Sequence, residues 1–246
     1  MYPIRSRYAQ RFLRPDGGEN QSRPSCAHFP SMPESAVIVL DFETTGHSPA
    51  LGDRPIEVGA VRIENNVLTD RFQSLMHPGC AINWFIESLT GISNEMVADA
   101  PDCAEVMTRF ADWIGDTPLA AHNARFDGAF LDAELARIGR ERANPLACTV
   151  LAARRLFPEA PNHKLASLVR HLGIRTNGVF HRALADAEMT GHLWLAMTSL
   201  LRDRYHLEVV PFALIQALTQ VARTRMDRFI RAYIEERQEH GRGWRR

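Results

Sequence analysis

The stretch that decides the fold is Ala36-Val-Ile-Val-Leu-Asp-Phe-Glu-Thr-Thr-Gly46. Its first five residues form a continuous apolar run, which is typical of a strand buried on both faces of a sheet. Successive side chains of a strand point to opposite faces, so Asp41 and Glu43 should project together and Phe42 away from them. Two adjacent carboxylates repel each other, and oxygen-only ligation suits Mg²⁺ or Mn²⁺. The stretch therefore predicts a central strand that ends in metal-binding acids.

The patterns after this strand predict a mixed sheet. Residues 56–63 alternate in polarity and 67–76 form a further strand, joined to them by the turn signal Asn65-Asn66. Later segments alternate between helical periodicity and short apolar runs: helices over 102–115, 125–138, 164–172 and 182–201, and strands over 119–122 and 146–149. This order predicts an α/β domain over residues 35–200, with a five-stranded mixed sheet flanked by helices.

Both ends of the chain differ from this central part. Residues 1–34 lack periodicity and contain Pro, Gly, Ser and Arg, which predicts a flexible leader. Met32 is a candidate alternative start of translation, in which case the leader would not be translated. Residues 201–246 are predicted to be a helical C-terminal extension. Its interleaved arginines indicate either a solvated face or a surface for nucleic acid or a protein partner.

Composition excludes several classes of protein. The formal net charge is zero, which removes the simplest argument for a nucleic-acid binder but leaves room for a basic rim beside an acidic site. The four cysteines form no C-x-x-C pair, so a zinc knuckle or a redox motif is not expected. No 18-residue apolar run and no signal-peptide pattern is present, and the expected location is the cytoplasm.

Two further motifs carry acids. His122-Asn-Ala-Arg-Phe-Asp127 opens a helix directly after a strand, with Asn123 as the expected N-cap and Asp127 in the first turns. His181-Arg-Ala-Leu-Ala-Asp186 has a spacing that turns through ~500° and rises ~7.5 Å on a helix. We therefore expect His181 in the loop before the helix and Asp186 within it. Each motif alone also has a purely structural interpretation, as a cap or as surface residues.

Together the three motifs resemble the DEDDh subgroup of the proofreading-exonuclease superfamily, which has D-x-E-T-T-G, N-x-x-F-D and H-x-x-x-x-D in this order. Shorter segments are also similar to that family: Ile56–Val61, Leu89–Ile92 and Asn162–Leu165. The pattern looks like the epsilon subunit of DNA polymerase III and its stand-alone relatives, and it also occurs in RNase T. The resemblance covers roughly residues 35–200 and implies an RNase H-like fold.

The resemblance also implies the residue roles. Two Mg²⁺ ions, for which Mn²⁺ can substitute, would be held by Asp41, Glu43, Asp127 and Asp186, with Asp41 bridging them. His181 would take the proton of the attacking water, and hydrolysis would release a nucleoside 5′-monophosphate. The residues expected to contact the substrate are Phe42, Thr44, Thr45, Ile92, Asn123 and His163. For Phe42, the strand pattern favours core packing of the side chain.

The favoured function is a metal-dependent 3′→5′ exonuclease acting on mostly single-stranded ends. The same site would serve a proofreading subunit of a DNA polymerase or an RNA-trimming exoribonuclease, and both alternatives stay open. A nucleic-acid-binding pseudoenzyme is disfavoured because all five catalytic positions are filled. The expected partner is a nucleic acid with a 3′ end, DNA rather than RNA, together with a DNA polymerase or a second copy of the chain.

Overall fold

A computed structural model of the protein describes residues 36–175 and 181–243, the last six of them by their backbone alone. The predicted leader, residues 1–34, lies outside the described residues. The strands are β1 (Val37–Thr44), β2 (Pro55–Glu64), β3 (Val67–Leu75), β4 (Leu119–Ala121) and β5 (Leu146–Cys148). The helices are α1 (Trp84–Thr90), α2 (Asn94–Ala98), α3 (Cys103–Ile114), α4 (Ala124–Arg137), α5 (Thr149–Leu156), α6 (Leu165–His171), α7 (Ala183–Tyr205), α8 (Phe212–Leu218) and α9 (Met226–Gly243). Among the described helices, none has the length and apolar character needed to cross a membrane.

The predicted five-stranded mixed sheet is confirmed. Its strand order is β3-β2-β1-β4-β5, with antiparallel pairing on the β2–β3 side and parallel pairing of β1 with β4 and of β4 with β5. Asn65 and Asn66, with φ of 51° and 64°, form the tight turn between β2 and β3. This left-handed conformation matches the strand twist of a two-residue hairpin and is tolerated by asparagine.

The central strand divides the core into two layers. Val37 and Val39 face a cluster formed with α5, α7, α8 and α9. Ile38, Leu40 and Phe42 face a second cluster formed with α3 and α4. The alternation of β1 therefore directs Asp41 and Glu43 to the face that α7 covers, as the sequence pattern predicts.

The C-terminal segment is helical, as predicted, and packs onto the same core as the rest of the chain. Leu214 of α8 and Phe229 of α9 are buried in the cluster that contains Val37 and Val39. The guanidinium Nε of Arg155 donates to the carbonyl of Val221 at 2.9 Å, between α8 and α9. The predicted domain limit at residue 200 lies within α7, and the limit itself stays a prediction.

Two short helices, α1 and α2, have no counterpart in the sequence prediction. The Asn83 side chain accepts hydrogen bonds from two backbone N–H groups of α1, and Ser93 caps α2 in a similar way. Ile86 and Ile92 pack with Ile56 of β2 in a third, smaller apolar cluster. These helices have seven and five residues, too few to show helical periodicity in a sequence.

Candidate active site

Asp41 and Glu43 lie near the end of β1, and the chain after them is tightly fixed. The Thr44 hydroxyl donates to the carbonyl of Gly46 at 2.6 Å, and the Thr45 N–H donates to the carbonyl of Arg54 at 2.9 Å. A Cβ on Gly46 would lie 2.4 Å from an Asp53 carboxylate oxygen, so a larger residue here would displace the Asp53 side chain. The turn fixes the strand end that presents the two acids.

Asp127 comes from the first turn of α4 and is 2% exposed. One of its carboxylate oxygens accepts a hydrogen bond from the Phe42 N–H at 3.2 Å. This bond attaches the acid of α4 to the β1 backbone between Asp41 and Glu43. The three carboxylates are therefore brought together by a strand and the start of one helix.

Asn123 occupies the N-cap position of α4, but the predicted capping role is wrong. Its φ and ψ are 84° and 48°, and its side chain makes no capping hydrogen bond. Asparagine tolerates this left-handed conformation better than most residues. Its contribution is the sharp change of direction from β4 into α4, which leaves the side chain exposed.

His181 and Asp186 lie where their spacing predicts. His181, with φ of 60°, is exposed and precedes α7, whereas Asp186 is 8% exposed in the first turn of that helix. The His181 N–H donates to an Asp186 carboxylate oxygen at 2.9 Å. One ligand atom from each of Glu43, His181 and Asp186 lies within 4.8 Å of the other two. These three side chains could therefore share a metal ion.

Gly59 allows α7 to approach the sheet closely enough for this arrangement. A Cβ built on Gly59 would lie 2.1 Å from the Leu184 backbone nitrogen and 2.2 Å from the Ala183 carbonyl carbon. These contacts are with backbone and cannot be relieved by a side-chain rotation. Any other residue at this position of β2 would push the start of α7, and Asp186 with it, away from β1.

Glu57 is a buried carboxylate that the sequence analysis did not assign to the site. It lies opposite Glu43 in the pairing of β1 with β2 and is completely buried. It accepts hydrogen bonds from Arg182 Nε and Nη2 at 3.1 and 2.9 Å, from Ala183 N at 3.1 Å and from Gln73 Nε2 at 2.8 Å. Because Arg182 follows His181, this pair anchors the loop that carries the histidine. A glutamate within the apolar strand Ile56–Val61 was the available signal.

Burial and mutual repulsion raise the pKa values of the two β1 acids. The pKa of Asp41 is well above its usual range because of burial first, and then because of the charges of Asp127 and Glu43. Burial also raises the pKa of Glu43 to about 8, with a further contribution from Asp186. The Arg182 guanidinium offsets part of this effect on Glu43.

The pKa values of Asp127 and Asp186, the two acids on helices, are raised mainly by burial as well. Burial raises the pKa of Asp127 to about 7, although the hydrogen bond from the Phe42 N–H opposes the change. Burial also raises the pKa of Asp186, again against a hydrogen bond, here from the His181 N–H. Among the described residues, no Arg or Lys forms an ion pair with any of the four acids. Four converging carboxylates without a bound cation have the donor chemistry that a divalent metal requires.

His122 is a second structural residue that sequence reasoning missed. Its ring nitrogens bond to the Thr149 hydroxyl at 2.9 Å and to the His163 carbonyl at 3.0 Å. Burial lowers the pKa of His122 to about 4, so the ring is neutral near pH 7. The ring joins the end of β4 to α5 and to the segment before α6. Its place directly before Asn123 was the only signal in the sequence.

The six predicted substrate contacts differ in accessibility. Phe42 is 3% exposed, and its ring packs edge-on against Phe110 with centroids 6.2 Å apart, which confirms the core packing favoured for its side chain. The side chains of Thr44, Thr45 and Ile92 are also buried, that of Asn123 is exposed and that of His163 is half-buried. The contacts of these residues with substrate stay predictions.

The chain is similar to exonucleases and to DNA polymerase III proteins. The family model described as "Exonuclease" matches residues 38–193. A PolC-type DNA polymerase III of Oceanobacillus iheyensis is 43% identical over 180 residues, which are 72% of this chain and 12% of that protein. The DNA polymerase III subunit epsilon of Aquifex aeolicus is 32% identical over 70% of this chain and 85% of its own length. The chain thus spans about an eighth of the PolC-type relatives but most of the epsilon subunit.

A solved structure of Exonuclease X in complex with 5′ overhanging duplex DNA has the same fold. It superposes with a TM-score of 0.59 over 74% of this chain and 99% of that one, at 22% identity. At this level of identity, the likeness concerns the fold alone. It supports the RNase H-like arrangement of the sheet and helices that the motifs imply.

Proposed function

The chain belongs to the Exonuclease family through residues 38–193, and from this premise we propose that it is a metal-dependent 3′→5′ exonuclease. It would hydrolyse the last phosphodiester of a mostly single-stranded nucleic acid and release a nucleoside 5′-monophosphate. The observation that carries the proposal is the convergence of four acids, the half-buried Asp41 and Glu43 and the buried Asp127 and Asp186, beside the exposed His181. Such a group of carboxylates would repel an anionic phosphodiester unless cations were bound.

The residues that would hold the metal ions are Asp41, Glu43, Asp127 and Asp186, and two Mg²⁺ ions suit these four carboxylates, with Mn²⁺ as a substitute. When bound, the ions would lower the pKa of the attacking water and offset the charge of the leaving 3′ oxygen. Each acid reaches the site from a fixed backbone: β1, the first turn of α4 or the first turn of α7.

His181 is proposed as the general base. Its side chain is exposed at the edge of the site, and one ring nitrogen lies within 4.8 Å of carboxylate oxygens of Glu43 and Asp186. A base must reach the proton of the attacking water and release it afterwards to solvent. The backbone bond to Asp186 and the Glu57–Arg182 pair next to it would hold the loop in place for this transfer.

A second role, proofreading for a DNA polymerase, is favoured by the named relatives. Both the PolC-type polymerase and the epsilon subunit are replication proteins by name, and this chain covers 85% of the latter. The polymerase would then be a protein partner and DNA the substrate. We propose that residues 35–200 hold the reacting groups in either role, and that the helices after residue 200 complete the core.

The test is product analysis on 3′-labelled single-stranded DNA, duplex DNA and RNA with Mg²⁺, Mn²⁺ or EDTA. We expect mononucleotides from single strands with either metal and none in EDTA. Asp127→Asn should abolish the reaction, whereas Asp132→Asn on the same helix, with a half-exposed side chain paired to Arg142, is the matched control. Full activity of Asp127→Asn, or activity in EDTA, would refute the proposal. Co-elution with a polymerase tests the second role.

A further inference from the structure

Helix α1 presents two adjacent aromatic side chains to solvent. Trp84 is 76% exposed and Phe85 is 53% exposed, and their rings meet edge-to-face with centroids 6.1 Å apart. Phe42, Phe110 and Phe130, by contrast, lie almost fully buried in the core. An exposed aromatic pair on a short helix contributes little to the core, which points to a binding role.

The pair is held beside the reacting acids. Asn83, the residue before Trp84, caps α1 by accepting from the N–H groups of Phe85 and Ile86 at 3.0 and 3.1 Å. Its amide group also contacts the carbonyl of Thr45 at 3.4 Å, two residues after Glu43. Asn83 therefore attaches the start of α1 to the strand end that carries the acids.

The other side of α1 is fixed as well. Ile86 is buried against Ile56, the neighbour of Glu57 on β2. The Glu87 carboxylate accepts from the N–H and the side-chain amide of Asn94, at 2.8 and 2.6 Å, which joins α1 to α2. The helix is therefore a rigid support, and its exposed rings have a defined place beside the site.

We propose that Trp84 and Phe85 form a stacking surface for nucleobases of the single strand that lies upstream of the reacting 3′ end. This inference rests on the proposed exonuclease function. A strand whose last phosphodiester lies at the acids must continue over the neighbouring surface, and α1 is part of that surface. Aromatic side chains stack on any base, so they bind a single strand without a sequence requirement.

The chemistry of α1 and α2 favours bases over phosphates. Residues 84–98 contain no Lys or Arg, so this surface offers ring faces rather than positive charge. A duplex keeps its base faces stacked on each other, whereas a single strand can present them to the rings. The partner that fits the surface is therefore a single-stranded segment a few nucleotides long.

The experiment compares two nucleoside 5′-phosphodiesters that differ in the group on the leaving oxygen. One is a single-stranded oligothymidylate of about 12 nucleotides, and the other is a nucleoside 5′-(p-nitrophenyl) phosphate, which has no upstream nucleotide. We expect Trp84→Ala to raise KM for the strand roughly 10-fold, with a several-fold smaller change on the small diester. Trp84→Phe should keep most of the affinity, and Trp84→Leu should not, because leucine supplies apolar area without a ring face.

A matched control and a binding measurement complete the test. Val67, 59% exposed beside the β2–β3 turn at the other end of the sheet, provides Val67→Ala, which should behave as the wild type. Binding of the labelled strand by the Asp41→Asn protein, with and without Trp84→Ala, is followed by fluorescence anisotropy and needs no hydrolysis.

Three outcomes would overturn the stacking surface. They are a strand KM within twofold of wild type in both Trp84→Ala and Phe85→Ala, full rescue by Trp84→Leu, and a dimer in gel filtration that Trp84→Ala dissociates without changing strand affinity. The last result would assign the rings to contact between two copies of the chain. If the wild type cleaves neither substrate, the exonuclease proposal fails instead, while the anisotropy result still reports on the rings.

Discussion

Two sets of buried or half-buried carboxylates in this protein differ in whether an arginine compensates their charge. Glu57 and Glu134, each at most 1% exposed, are held by an arginine through two hydrogen bonds: Arg182 at 3.1 and 2.9 Å for the first, and Arg54 at 2.7 and 2.9 Å for the second. The four acids of the active site converge on one another, and among the described residues no arginine or lysine pairs with them.

The absence of a paired arginine among the described residues around the active-site acids indicates that a cation from solution compensates their charge. A buried carboxylate is strongly destabilising unless a counter-charge or several hydrogen bonds compensate it. Arginines supply that compensation at Glu57 and Glu134, so this fold can place an arginine beside a buried acid. At the active site, an arginine in the same position would occupy the place that we propose for metal ions. The four predictions below test this difference, from the largest expected effect to the smallest.

Replacing an unpaired acid should abolish function and relieve repulsion. We expect Asp41→Asn to lower kcat by roughly 1,000-fold or more, because a proposed metal ligand is lost. The metal-free variant should nevertheless melt at a higher temperature than the metal-free wild type, because asparagine removes the cost of keeping a carboxyl at this position, either charged beside its neighbours or protonated. Nuclease assays and thermal melts in EDTA measure the two effects. A lower melting temperature in EDTA would contradict the repulsion, and retained activity would contradict the ligand role.

Removing the arginine of a paired acid should have the opposite effect on stability. Arg182→Met leaves Glu57 buried without its counter-charge, and we expect a loss of about 2 kcal/mol in the free energy of unfolding. This is below the value for a fully buried pair because the Arg182 side chain is 35% exposed. Urea unfolding measures the change.

The double variant provides the control for that prediction. Glu57→Gln combined with Arg182→Met removes both charges, so it should be more stable than Arg182→Met alone. If the single and double variants unfold at the same urea concentration, the charge of Glu57 is not what Arg182 compensates.

Metal removal should make stability depend on pH in a defined direction. The pKa of Glu43 rises from 4.5 to about 8 and that of Asp127 from 3.8 to about 7 in the folded protein. Between these limits the folded state binds more protons than the unfolded state, so stability falls as pH rises from about 5 to 8. In EDTA, we expect the melting temperature to fall by several degrees over this range.

Saturating Mg²⁺ should reduce that fall, since bound cations favour the ionised carboxylates. The difference between the melts in Mg²⁺ and in EDTA at each pH isolates the site from other titrating groups. Equal slopes with and without Mg²⁺ would show that these acids do not bind the ion.

The smallest change in the free energy of unfolding is expected at the exposed ion pair of Asp132 with Arg142. Arg142 bonds to both carboxylate oxygens of Asp132 at 2.7 and 3.0 Å, but the Asp132 side chain is 51% exposed. Solvent screens such a pair, so Asp132→Asn should lower the free energy of unfolding by about 0.5 kcal/mol and leave kcat unchanged. Urea unfolding of both proteins, with and without added salt, measures this change in stability. A loss as large as that of Arg182→Met would mean that burial does not explain the difference between the pairs.

Much of the fold, and the position of the candidate site residues within it, could be predicted from local sequence. The apolar run of residues 36–40 was sufficient to predict strand β1. The pair Asn65-Asn66 was sufficient to predict the turn between β2 and β3. The spacing of His181 and Asp186 was sufficient to place one in a loop and the other in a helix. Such features depend on periodicity and turn chemistry, which a single sequence displays.

The residues that were missed depend on distant partners. Glu57 and Arg182 are 125 positions apart in the chain, and nothing in either neighbourhood indicates the other. The left-handed backbone of Asn123 replaced the predicted cap because the chain must turn sharply between β4 and α4. Helix α1 was missed because it is short and because its exposed face carries Trp84 and Phe85 in place of polar residues.

Helix α7 has a consequence for how far this enzyme can be shortened. It runs for 23 residues, or ~35 Å, from the start that carries Asp186 to an end where Arg204 and Tyr205 both bond to Asp227 of α9. Midway, Trp194 stacks on Phe212 of α8 with ring centroids 5.7 Å apart. A fragment trimmed to residues 38–193, the segment that the family model matches, would lack the second half of α7 and the helices α8 and α9, which contribute Leu214 and Phe229 to the cluster around Val37 and Val39. The segment that identifies the family is therefore shorter than the segment that builds the core.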